Sequence, residues 1–64
     1  MTYKEFDELW KSFDEDQKDS VRIKAKWEHM TLWAICNEWP GIWNHEGRLK
    51  DIRAERAVTG SVFI

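Results

Sequence analysis

Residues Val21 to Trp39, VRIKAKWEHMTLWAICNEW, constrain the fold of this chain more than any other stretch. Wound as one helix at about 100° per residue, its apolar side chains fall into two groups. Ile23, Trp27, Met30 and Ala34 share one face. Val21, Ala25, Leu32, Ile35, Cys36 and Trp39 make a nearly opposite one, with Trp33 between. A surface helix needs one apolar stripe, and a helix apolar on two sides is covered on two sides. The stretch therefore reads as a central helix covered by what precedes and follows it, or by a partner. Val21, Ile23, Ala25 and Trp27 also alternate with charged residues, the period of a half-buried strand. The helix is the preferred reading, because only the short SVFI end offers such a strand a mate.

Thr2 to Phe13 reads as the first helix. Thr2 and Glu5 form the T-x-x-E capping box, in which each side chain accepts a backbone N–H of the first turn. Tyr3, Phe6, Leu9, Trp10 and Phe13 follow in one aromatic stripe, which is expected to cover the Trp27 face of the central helix. Asp14 to Ser20 has no apolar residue and connects the two, so the central helix can begin anywhere from Glu15 to Val21. Pro40 and Gly41 end it, since a residue before proline is pushed out of the α region. Asn44 is the expected N-cap of a third helix, and Gly60 its C-terminal stop. Leu49 and Ile52, with the stems of Arg53 and Arg56, form the best apolar stripe of that helix. The expected fold is all-α: one domain with three helices at about 2–13, 17–39 and 45–58, and a short apolar tail of Val62, Phe63 and Ile64.

Sixty-four residues with a single cysteine cannot close an internal disulfide. A core this small rarely supplies more than roughly 3–5 kcal/mol without a staple or a partner. Tight aromatic packing and self-association are the supports left. Five tryptophans are many for this length, and a small core cannot easily enclose five indoles and three phenylalanines. Trp10, Trp27 and Trp39 are expected inside. Trp33 and Trp43 are expected partly outside, where with Val62, Phe63 and Ile64 they offer an apolar surface to a second copy or another protein.

Charge is uneven. Residues 1–20 carry seven acids and three lysines, a net of −4, whereas residues 21–64 carry five acids and seven bases, a net of +2. The simplest consequence is that the two parts attract each other, within one chain or between two; the alternative gives each patch a partner of its own. The segment MTYKEFDELW is too charged for a signal peptide, a secreted domain this small would usually carry disulfides, and no run approaches the length of a membrane span. A cytoplasmic location is expected, the host cytoplasm if the protein is viral.

No catalytic, metal or nucleotide motif is present. His29 and Cys36 would lie about 10 Å apart along one helix, too far to share an ion, and His45 lies beyond the proline turn. A solvent-edge histidine and a buried structural thiol fit these residues better than a metal site. No cofactor is expected. Asp14-Glu15-Asp16 lacks the spacing and glycine of a calcium loop. Arg48, Lys50, Arg53 and Arg56 follow a turn on one helix, which loosely suggests a DNA-reading helix, but Glu46, Asp51 and Glu55 are interleaved with them. The expected function is a non-enzymatic protein-interaction module, an inhibitor or regulator of a larger protein that also self-associates. A small helical DNA-binding regulator is the second reading, and a structural subunit of an assembly the third. In brevity and lack of a catalytic set, the chain resembles in style the small accessory proteins of phages that bind a larger host protein.

Overall fold

The computed structural model describes residues 1–60. They form four α-helices: α1 (Tyr3–Ser12), α2 (Glu15–Glu28), α3 (Leu32–Glu38) and α4 (Glu46–Thr59), with a 3-10 turn at Ile42–Asn44. The class is all-α, and no strand occurs among the described residues. Val62, Phe63 and Ile64 lie outside them.

The first helix follows its sequence signals. The Thr2 hydroxyl accepts the Glu5 N–H at 3.1 Å, and the Glu5 carboxylate accepts the Thr2 N–H at 3.0 Å. The backbone N–H of Thr2 on its carboxylate holds the Glu5 pKa below the usual range. The helix ends at Phe13, whose backbone is extended. A second capping box starts α2 one residue later. Asp14 accepts the Gln17 N–H at 2.8 Å, and Gln17 accepts the Asp14 N–H at 2.9 Å. Glu15 and Asp16 in the first turn suit the positive end of the helix dipole. So α2 begins at the earliest of the starts the sequence allowed. Asp14→Ala is expected to cost about 1 kcal/mol, the usual worth of an N-cap. A urea titration monitored by circular dichroism would show this as a lower midpoint, and an unchanged midpoint would mean the cap is not stabilising.

The central helix is not continuous, and this corrects the three-helix expectation. His29 takes up the left-handed conformation (φ 54°, ψ 44°), and its N–H and that of Met30 both turn back to the Ala25 carbonyl. Thr31 then caps α3, its hydroxyl accepting the Ala34 N–H at 3.1 Å. The physical gain is in packing. Val21, Ala25, Ile35 and Cys36, which would lie in line along a straight helix, instead meet across the break with Phe13 in one buried cluster. A non-glycine residue in this conformation costs roughly 1–2 kcal/mol, which burial of that face offsets.

Phe6, Leu9, Trp10, Met30, Leu32, Trp39, Ile42 and Trp43 close around the cluster. Phe6, Leu9 and Trp10 of the α1 stripe thus pack against the cluster shared by α2 and α3, with α1 lying mainly against α3, and not, as expected, on the face that carries Trp27. Trp10 and Trp39 are half-buried, each with a cation over its ring. Arg22 lies 5.4 Å from the Trp10 centroid and Lys24 4.7 Å from that of Trp39.

Gly41, at φ 90°, makes the reversal after Pro40 that a side chain would strain. The 3-10 turn that follows is tied to α2. The Ser20 hydroxyl, fully buried, donates to the Ile42 carbonyl at 2.8 Å, and the Gln17 amide donates to Asn44 Oδ1 at 2.7 Å. Asn44 is therefore used by the turn, and the N-cap of α4 is His45, whose Nδ1 accepts the Arg48 N–H at 3.2 Å. Gly60 ends α4 at φ 77°. The helix lies against α2 and buries Leu49 and Ile52. Although shorter than expected, α2 remains the hub, touching α3, the 3-10 turn and α4.

Candidate docking surface between α2 and α4

Two features of α2 set its contact with α4. Near its start, Asp16 and Asp19 face Arg53 and Arg56. Arg53 Nε lies 3.1 Å from Asp16, Arg56 Nη1 lies 2.9 Å from Asp16, and Arg56 Nη2 pairs with Asp19. Asp19 is buried and takes Arg22 on its other oxygen at 3.0 Å. The acidic front and basic back of the chain do attract each other, within one molecule.

Farther along, the two helices leave a groove of about 470 Å³ lined by Ile23, His45, Gly47, Arg48, Asp51, Ile52 and Glu55. Its floor is apolar, from Ile23 and Ile52. Its rim carries Arg48, Asp51 and Glu55, none of which makes an ion pair among the described residues. The Arg48 Nε–H is buried without an acceptor, which costs about 1–3 kcal/mol where it persists.

Trp27 stands one helical turn beyond Ile23 on the same face of α2. It is 77% exposed. The expectation that it is core is thus corrected: the α1 stripe packs against the cluster shared by α2 and α3, and α2 ends at Glu28. Scattered exposed apolar residues are ordinary. An exposed indole one turn along the helix from a groove-lining residue is a more specific arrangement, because tryptophan is among the residue types that most often anchor protein interfaces.

The residues singled out from sequence lie elsewhere. Trp33 is half-buried, its ring 5.0 Å from that of exposed Tyr3, and its indole N–H donates to the Met1 carbonyl at 3.1 Å. Trp43 is half-buried with its ring 5.2 Å from Phe13, so its inner side belongs to the core. No ring contact joins Trp33 and Trp43 among the described residues. Of the four basic residues proposed for DNA, Arg53 and Arg56 are engaged by the α2 carboxylates, Arg48 lines the groove and Lys50 is exposed. The structure does not gather them into one open basic patch. Trp27 and the Asp16–Asp19 pair were missed, although Asp16, Asp19, Ile23 and Trp27 run at helical spacing along one side of α2.

Cys36 is fully buried, and loss of hydration pushes its thiol pKa above the ordinary value. It is expected to resist Ellman's reagent in the folded chain and to react at once in denaturant. Rapid labelling without denaturant would contradict its burial. His29 and His45 are helix caps, and among the described residues no three metal-capable side chains converge. No described helix is long and apolar enough to cross a membrane.

No family model, curated protein or solved structure matches the chain.

Proposed function

We propose that the chain is a non-enzymatic protein-interaction module, a small inhibitor or regulator that docks a larger protein on the α2–α4 face. The observation that carries this reading is Trp27, 77% exposed and one helical turn beyond Ile23, which lines a groove with an apolar floor and a charged rim. Such a combination supplies an apolar anchor and polar groups that fix orientation. The buried thiol and the use of the His45 imidazole as a helix cap favour binding over chemistry. Arg53 and Arg56, already held by Asp16 and Asp19, favour a protein over DNA as the partner.

The test is affinity capture from an extract of the source cell, comparing the wild type with Trp27→Ala. A hot-spot tryptophan contributes about 2 kcal/mol or more, so captured partner should fall roughly thirtyfold or further. Apolar burial is little screened by ions, so moderate salt should leave wild-type capture largely intact. Equal capture by the Trp27→Ala chain would overturn the assignment of the face.

A further inference from the structure

We propose that, when no other partner is bound, the α2–α4 face closes on a second copy of the chain, with Trp27 of each protomer filling the groove of the other. The inference rests on the reading of this face as a protein-docking surface. It is carried first by the placing of knob and groove. Trp27 follows groove-lining Ile23 by one turn on the same face of α2, so a two-fold axis near that turn would bring each indole toward the opposite groove. A self-complementary patch of this kind closes as a dimer and leaves no free end.

Charge supplies the second argument. Lys26 and Glu28 flank Trp27, projecting to either side of it on the helix. Lys26 is exposed and unpaired among the described residues, and the facing rim holds Asp51 and Glu55, which are unpaired too. Glu28 bridges to Lys24 through one carboxylate oxygen at 3.0 Å, so the other oxygen can take the Arg48 guanidinium of the second copy. The cation–indole–anion order of the knob thus meets an acid pair and an arginine across an apolar floor.

Area sets the strength. Each indole buries on the order of 150–250 Å². Two knobs and the walls they cover give roughly 600–1,000 Å², below the about 1,200 Å² where stable interfaces begin. The dimer is therefore weak, with a dissociation constant in the micromolar range, and a better-fitting partner can displace the second copy.

Sedimentation equilibrium from low-micromolar to millimolar chain tests this. The wild-type mass should rise from the 7.7 kDa monomer toward twice that value. Trp27→Ala should stay monomeric and fold normally, because the side chain it removes is exposed. Lys26→Glu, and separately Asp51→Lys with Glu55→Lys, should each weaken dimerisation. Mixing these two variants should restore it, since each supplies the charge that the other lacks. A monomeric wild type at every concentration, or a Trp27→Ala chain that dimerises as well as the wild type, would overturn the proposal. So would a chain ending at Gly60 that dimerises where the full chain does not, which would give the groove to the chain's own last residues. A monomeric wild type whose partner capture still depends on Trp27 would remove the dimer alone. A dimer whose partner capture ignores Trp27 would remove the foreign partner from this face.

Discussion

Replacing Ile35 by alanine is expected to leave most of the chain unfolded at room temperature. Ile35 is fully buried on α3, where it meets Val21, Ala25, Cys36 and Phe13 across the α2–α3 break. Deleting its buried methyl and methylene groups loses their transfer free energy and leaves a cavity, together about 2–5 kcal/mol. A single core of this size supplies roughly 3–5 kcal/mol in all, so the loss is comparable with the whole. Ile35→Val removes one methylene, should cost only about 0.5–1.5 kcal/mol and should remain folded. Far-UV circular dichroism and a urea titration of the two variants separate these outcomes. A cooperative Ile35→Ala transition near the wild-type midpoint would show that α3 is not part of the core.

The second large effect is expected at Asp19. Its side chain is 8% exposed and accepts Arg22 on one oxygen and Arg56 on the other. Breaking a buried ion pair by removing one partner costs about 3–5 kcal/mol when the remaining charge is stranded. Here it is not fully stranded. Arg56 keeps Asp16 at 2.9 Å, Arg22 keeps Glu15 at 3.5 Å, and both arginines are about one-third exposed. Screening and these second partners bring the expected cost of Asp19→Ala down to about 2–3 kcal/mol. The loss should fall first on α4, which this pairing holds to α2. Amide hydrogen exchange should therefore speed up most in α4, with the Ile35 cluster less affected. Uniformly faster exchange across the described helices would mean that Asp19 supports the core as a whole.

Several local capping and turn signals were legible. The Thr2–Glu5 box, the aromatic stripe of α1, the Pro40-Gly41 reversal and the Gly60 stop all appear where the sequence placed them. The break at His29 was not legible. Helical periodicity runs smoothly through it, and the only marks are a threonine able to cap and a histidine able to adopt a left-handed turn. The grouping of Val21, Ala25, Ile35 and Cys36 was correct as a list, but the residues meet by folding back and not by alignment. Asn44 and His45 are both able to cap, and the choice between them was made by Gln17 and Ser20, distant in sequence.

The site was legible in its charges more than in its aromatics. The acidic front and basic back foreshadowed the pairing of Asp16 and Asp19 with Arg53 and Arg56. Which tryptophan remains outside depends on where α1 and α4 come to rest. Tertiary packing decides that, and periodicity alone assigned Trp27 to the wrong environment.

The chain breaks at His29 and leaves Trp27 exposed, and the stability of Trp27→Ala tests that arrangement. The comparison belongs at sub-micromolar chain, where mass action from any dimer does not enter. A urea titration followed by circular dichroism should then place the variant within about 0.5 kcal/mol of the wild type, as for a surface substitution. A loss of about 3–5 kcal/mol, the cost of deleting a core tryptophan, would mean that α1 covers Trp27 and that the continuous central helix is the correct fold.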